Sequence, residues 1–241
     1  MLAQSQTLPP EVAAGEYRLG SQMVVFSHGF GVDRYGNELL SDLAQAMPAG
    51  YGYVLFDYNQ KADDGSILVS TFAQQQAILD RVIAWAGQQS GVTAVHLVAH
   101  SMGCIIAALL APTAIKNCIF LAPPLSIGEN VRQYFTSKVG AQKDGPIWVV
   151  PRRRGAVTRM PEKIFDEMEA TDAGAVLSRF GTARPYLLAL AGADELLAGQ
   201  DYRIFADTKV ELVGIDDANH DFSDHARQQL CTLVAERLAA S

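Results

Sequence analysis

Short runs of apolar residues alternate along the chain with longer segments in which apolar positions recur at helical spacing. The runs MVVF (23–26), YVLF (53–56), AVHLVA (94–99), CIFLA (118–122), YLLALA (186–191) and VELVGI (210–215) are rich in β-formers and too brief for helices. They predict buried strands. Between them, DRYGNELLSDLAQAM (33–47), STFAQQQAILDRVIAWAGQQ (70–89), MGCIIAALLAP (102–112), DELLAGQDYRIFA (194–206) and DFSDHARQQLCTLVAERLAA (221–240) predict helices. Asp33 and Ser70 are the expected N-caps of the first two. Strand and helix in alternation imply right-handed crossovers and a mostly parallel sheet with helices on both faces.

One segment breaks the rhythm. From Pro123 to about Thr182 roughly 60 residues separate two predicted strands, against the usual connection of about 2–6 residues. Within it, GENVRQYFTSKVG (128–140) reads as a helix and PIWVVPRRRGAVTRMP (146–161) as a hairpin turning near Arg154-Gly155. PEKIFDEMEA (161–170) reads as a second helix with Pro161 at its first position. The expectation is a single α/β domain over 1–241 with residues 123–182 as a small cap or lid over one end of the sheet.

Composition narrows the function classes. At 49% hydrophobic and 19% charged, the 241 residues have the make-up of a globular protein that buries a substantial core. A net charge of −7 argues against nucleic acid as a partner, which requires a basic stripe. The trio Arg152, Arg153 and Arg154 is the local exception, either a solvated turn or an anion site. Cys104, Cys118 and Cys231 have no metal-ligand spacing and sit in apolar surroundings, so free buried thiols are expected and disulfides are not. The first residues lack the pattern of a signal peptide, and no apolar run reaches the roughly 18 residues of a membrane span. A cytoplasmic location is the default expectation.

Ligands of open parallel sheets bind beyond the carboxyl ends of the strands, so the residues that follow the apolar runs are the candidates for chemistry. Ser27-His28-Gly29-Phe30-Gly31, His100-Ser101-Met102-Gly103, Gly192-Ala193-Asp194 and Asp216-Asp217-Ala218-Asn219-His220 fall on one rim. They supply a glycine-rich turn, a hydroxyl, a carboxylate and an imidazole. From about residue 22 onward the chain resembles the α/β-hydrolase family, in its serine esterase or lipase-like branch. Its nucleophile elbow is usually Gly-x-Ser-x-Gly, and here Ala99-His100-Ser101-Met102-Gly103 departs from it by one methyl group.

The resemblance implies a catalytic triad: Ser101 as nucleophile, His220 as base and Asp194 as the acid that orients the imidazole. Asp216 and Asp217 compete for the last role but would have to fold back on their own loop. The resemblance also implies an oxyanion hole built from the backbone N–H groups of Phe30 and Met102. The expected partner is a small acyl ester, cleaved through an acyl-enzyme, with no metal or organic cofactor. Acyl transfer or thioester hydrolysis on the same triad is the alternative chemistry, and a non-catalytic ligand-binding protein of this fold is the alternative class.

Other residues have blander readings. His96 is expected to be a satisfied core residue and His28 to order the oxyanion loop. His100 either lines the site or packs, and His225 is expected in solvent on the last helix. The glycines from Gly29 to Gly36 do not match a phosphate-binding loop, because the final Gly comes too late and no Lys-Ser/Thr pair follows. Trp148, Tyr134 and Phe135 in the insertion serve either substrate or packing.

Overall fold

The computed structural model describes residues 8–128, 131–152 and 156–240. Its strands are β1 (Glu16–Arg18), β2 (Gln22–Ser27), β3 (Tyr51–Leu55), β4 (Gln60–Lys61), β5 (Ile67–Leu68), β6 (Ala94–His100), β7 (Cys118–Leu121), β8 (Gln142–Asp144), β9 (Ile147–Pro151), β10 (Val157–Pro161), β11 (Tyr186–Ala191) and β12 (Val210–Ile215). The helices are α1 (Pro10–Ala13), α2 (Leu39–Gln45), α3 (Phe72–Gly87), α4 (Met102–Leu110), α5 (Val131–Thr136), α6 (Glu162–Glu169), α7 (Ala173–Ala183) and α8 (His225–Ala239).

All six apolar runs form strands of one seven-stranded sheet, in the order β1-β3-β2-β6-β7-β11-β12. Every neighbouring pair is parallel except β1 with β3. The runs are unbroken because both faces of the inner strands are covered. On β2, Met23 and Val25 point into the layer of α1, α3, α4 and α7, while Val24 and Phe26 point into the layer of α2 and α8. Burying each such side chain contributes about 1.5–3 kcal/mol. The edge strand β1 is exposed and reads Glu-Tyr-Arg, so no apolar pattern announces it.

Several helix ends differ from the sequence pattern for local reasons. The first predicted helix starts at Leu39, because Asn37 and Glu38 take positive φ of 50° and 60°. Asp33 makes a turn instead, its Oδ1 accepting from Tyr35 N at 3.1 Å. The cap of α3 is Thr71, not Ser70: Thr71 and Gln74 exchange side-chain and backbone bonds in a capping box. Ser70 Oγ donates to the Tyr58 carbonyl at 2.5 Å. The last helix begins at His225, after Phe222 and Asp224 at φ of 47° and 57°. Pro161 is the N-cap of α6 rather than its first residue.

The segment 123–182 contains α5, β8, β9, β10, α6 and most of α7. Strands β9 and β10 pair antiparallel, and the expected turn at Arg154-Gly155 lies outside the described residues. These strands join a second sheet, ordered β4-β5-β10-β9-β8, in which β4 and β5 come from residues 60–68. The second sheet therefore draws on two distant stretches of chain. By contrast α7 packs on α4 and belongs to the helix layer of the main sheet. Phe30 packs against Phe135 of α5, with ring centroids 5.6 Å apart and the planes tilted by 48°. Glu167 of α6 accepts from the Phe72 N–H of α3 at 2.7 Å.

Cys104 and Cys118 are buried free thiols inside the layer of α3 and α4. Burial pushes both thiols up, Cys118 to about 12 and Cys104 well above its ordinary value. Among the described residues no helix is long and apolar enough to cross a membrane.

Candidate active site

Strand β6 ends at His100 and helix α4 starts at Met102, which leaves Ser101 alone to make the turn. Its φ of 53° and ψ of −124° lie outside the favoured regions for a residue with a Cβ. Such strain costs on the order of 1–3 kcal/mol. It is held by the Ser101 N–H, which donates to the Leu121 carbonyl of β7 at 2.8 Å, and by the Ser101 carbonyl, which accepts from Cys104 N at 3.0 Å. The turn works only because α4 crosses very close to β2. A Cβ on Gly103 would stand 2.6 Å from both the Ser27 and His28 carbonyl oxygens.

His220 arrives from the loop after β12. Its Nε2 is 3.0 Å from Ser101 Oγ, and its Nδ1 is 2.7 Å from Asp194 Oδ2. The side chains of His220 and Asp194 are each 8% exposed, so water competes little for the bond between them. Burial opposes ionisation of Asp194. The hydrogen bond and charge of His220, with the Leu196 and Leu197 N–H groups, outweigh it and hold the carboxyl below its usual range.

This use of Asp194 also explains a predicted helix that does not form. Asp194 Oδ1 accepts from Leu196 N and Leu197 N at 2.8 and 2.9 Å, folding the start of DELLAGQDYRIFA into a turn. Gly199 follows at φ +79°, and only a short 3₁₀ turn at Tyr202–Phe205 remains helical. The two loops are tied together by Gly192 N to Ile215 O and Ala193 N to Ala218 O, both 2.9 Å. Asp216 and Asp217 are exposed.

Phe30 and Met102 lie on either side of Ser101 in the sequence order of the rim loops. A Cβ on Gly29 would come within 3.2 Å of Ser101 Cβ, which puts Gly29 against the nucleophile turn. Met102 N–H heads the nine-residue helix α4, where unbonded N–H groups carry partial positive charge. The loop itself is fixed by His28. Its Nδ1–H donates to Gly29 O at 2.8 Å, and its Nε2 accepts from Tyr58 N at 2.9 Å. Tyr58 further shares a 2.7 Å hydroxyl hydrogen bond with Ser27. Tyr58 was not among the candidates, since it follows another strand and no motif marks it.

Two of the remaining histidines have structural partners. His96 is held between Gln22 Oε1 at 3.0 Å and Asn117 Nδ2 at 3.1 Å. His100 is buried and its Nε2–H donates to the His220 carbonyl at 3.0 Å, so it positions the loop that carries the imidazole. His225 is exposed. Among the described residues, no three His, Cys, Asp or Glu side chains gather as metal ligands would.

Burial lowers the pKa of His28, His96 and His100, the latter two to about 4. In the unfolded chain each titrates near 6.5. Between about pH 6.5 and pH 4 the unfolded state therefore binds protons that the folded state refuses, and stability falls as pH falls. The urea midpoint should drop steadily when unfolding is followed from pH 7 to pH 5. His100→Asn should flatten that decline, because His100 alone accounts for about 2 kcal/mol of it.

The family model described as the alpha/beta hydrolase family matches residues 24–233. No curated protein is similar enough in sequence to match. Solved structures are similar in fold. Est1E from Butyrivibrio proteoclasticus, with ferulic acid bound, has a TM-score of 0.72 at 17% identity, over 94% of this chain and 94% of that one. The esterase domain of a Rhodothermus marinus protein has a TM-score of 0.65 at 18% identity, over 94% and 90%. A monoacylglycerol lipase from Paleococcus ferrophilus has a TM-score of 0.64 at 20% identity, over 94% and 98%. With most of its length inside the family model and its sheet in the same fold as these enzymes, the chain belongs to the alpha/beta hydrolase family.

Proposed function

We propose that the protein hydrolyses carboxylic esters through an acyl-enzyme on Ser101. The observation that carries this reading is the unbroken path from Ser101 Oγ to His220 Nε2 at 3.0 Å and from His220 Nδ1 to Asp194 Oδ2 at 2.7 Å. A serine hydroxyl is a weak nucleophile near neutral pH and needs a base within hydrogen-bond reach. His220 accepts the Ser101 proton as Oγ attacks the ester carbonyl. Asp194 holds Nδ1–H toward itself, so that Nε2 keeps its lone pair, and balances the imidazolium that forms.

The carbonyl oxygen gains negative charge, which the N–H groups of Phe30 and Met102 stabilise; losing one such donor costs about 10²–10³ in rate. His220 then returns the proton to the departing alkoxide, leaving an ester on Ser101. A water molecule, deprotonated by His220, attacks that ester; the acyl–Oγ bond breaks, His220 returns the proton to Ser101 Oγ, and the acid is released. The elements α5, β8, β9, β10 and α6 act as a cap on the 241-residue domain, and Phe135 against Phe30 joins it to the oxyanion loop. Structural relatives named as esterases and a lipase favour esters over other acyl substrates.

The test is turnover of p-nitrophenyl esters of increasing chain length, with a fluorophosphonate probe mapped to its residue by mass spectrometry. Hydrolysis with probe on Ser101 supports the reading; no turnover and no labelling exclude it. Capture of the acyl group by added alcohol in preference to water would make the protein an acyltransferase instead. Asp194→Asn should lower kcat about 10²- to 10⁴-fold, because the amide lets His220 adopt the wrong tautomer. Steady-state kinetics on a short-chain ester measures it.

A further inference from the structure

The arginine at the start of the predicted hairpin turn has no role in the chemistry above, yet it lies against the oxyanion loop. Arg152 follows β9, and its backbone N–H donates to the Ala156 carbonyl at 2.7 Å, closing the ladder between β9 and β10. Its side chain runs along the face of the second sheet that also carries Val150 and Thr158, both buried. Its Nη1 stands 3.0 Å from where a Cβ on Gly31 would be, with the Thr158 methyl 3.6 Å from the same point. Gly31 is one residue past Phe30, at φ +63°, and its missing side chain is what admits the guanidinium.

Nη1 is buried and has no hydrogen-bond partner. Two other arginines bury an unbonded nitrogen, but each uses the rest of its guanidinium: Arg34 on Asp57, and Arg184 on the Pro112 and Ile115 carbonyls. Among the described residues Arg152 makes no such bond. Burial pushes its pKa down, the Tyr134 phenol pulls the other way, and no carboxylate offsets the loss of water. A buried cationic donor left without an acceptor is destabilising, and native proteins retain one where a ligand completes it.

We propose that Arg152 is a carboxylate-binding subsite, which selects esters carrying a free acid group remote from the bond that is cleaved. The proposal rests on the ester-hydrolase reading of Ser101. The planar fork of a guanidinium matches a carboxylate in charge and shape, and one cation amid Phe30, Thr158 and Val150 neutralises one negative charge. The spacing suits the far end of a substrate. Gly29 is 3.2 Å from Ser101 and Gly31 is 3.0 Å from Nη1, both measured from ideal Cβ positions. The reach of the two Cα–Cα steps from Gly29 through Phe30 to Gly31 then limits the Ser101 to guanidinium separation to about 16 Å. In a protein of net charge −7 an acidic substrate needs such a local cation to offset repulsion.

The experiment compares p-nitrophenyl hemiesters of dicarboxylic acids from succinate to sebacate with neutral p-nitrophenyl esters of matched length. Acetate esters of ω-hydroxy acids, beside those of plain alcohols, place the acid on the alcohol side. At the best length in one series, the ratio of kcat/KM for the acidic ester to that for its neutral counterpart should fall about 10- to 100-fold in Arg152→Met. Arg152→Lys should recover part of the ratio. Ratios unchanged in both series overturn the proposal while leaving ester hydrolysis standing. Calorimetric binding of glutarate, adipate and suberate to Ser101→Ala needs no turnover. Binding that disappears on adding Arg152→Met supports the subsite even if no ester is cleaved, and binding that persists, or none in either variant, overturns it.

Discussion

Ser101→Ala should lower kcat/KM on p-nitrophenyl esters by about 10⁴- to 10⁶-fold with the fold retained. On the proposed mechanism the loss is large because the hydroxyl is the atom that would bond to substrate; what would survive is stabilisation of the carbonyl by the Phe30 and Met102 N–H groups when water attacks directly. Alanine keeps a Cβ at the same strained φ of 53°, so the backbone at the elbow changes little. His220→Ala should cost nearly as much, and the double variant should be scarcely worse than either, since the two groups act as one unit. Steady-state rates over six orders of magnitude, with circular dichroism as the control for folding, provide the check. Equal rates for Ser101→Ala and the parent protein would remove Ser101 from the reaction.

Gly103→Val should destabilise the protein by more than about 4 kcal/mol, a large share of the roughly 5–15 kcal/mol that holds a domain folded. The first added carbon already stands 2.6 Å from two backbone oxygens, distances that no rotamer can relieve, and as close to Ser27 Oγ. Relief requires α4 to move off β2, which takes Ser101 away from Phe30 and breaks the hydrogen bond from Ser27 Oγ to the Gly103 carbonyl. Thermal unfolding and soluble yield measure the effect. Gly103→Ala should show the same direction with part of the magnitude and, where folded, reduced kcat, because the elbow and the loop are separated by the same clash.

The central sheet was legible because parallel strands buried on both faces must be apolar throughout, and VHLVAH or YLLALA can satisfy that only as strands. Strands β1, β4 and β8 were not legible, since they are short, polar and exposed, and β5 is only the half-buried pair Ile67–Leu68; all four exist through their neighbours. Of the candidate residues, His220 is within hydrogen-bond distance of both Ser101 and Asp194, as their positions after strands imply. Asp194 shows the limit of periodicity. The same carboxylate that reaches His220 consumes two backbone N–H groups a helix would need, so a segment with helical spacing folds as a turn. Tyr58 was hidden for a different cause: its backbone N–H reaches the His28 ring through a contact that only the pairing of β2 with β3 brings about.

The buried sulfurs of Cys104 and Cys118 give the layer beneath the elbow its own clock. Alkylating reagents attack thiolates, and these two groups neither ionise readily nor meet solvent while α4 stays docked. Their rate of modification by iodoacetamide therefore counts openings of the sheet, independently of whether any substrate has been found for the hydroxyl above them.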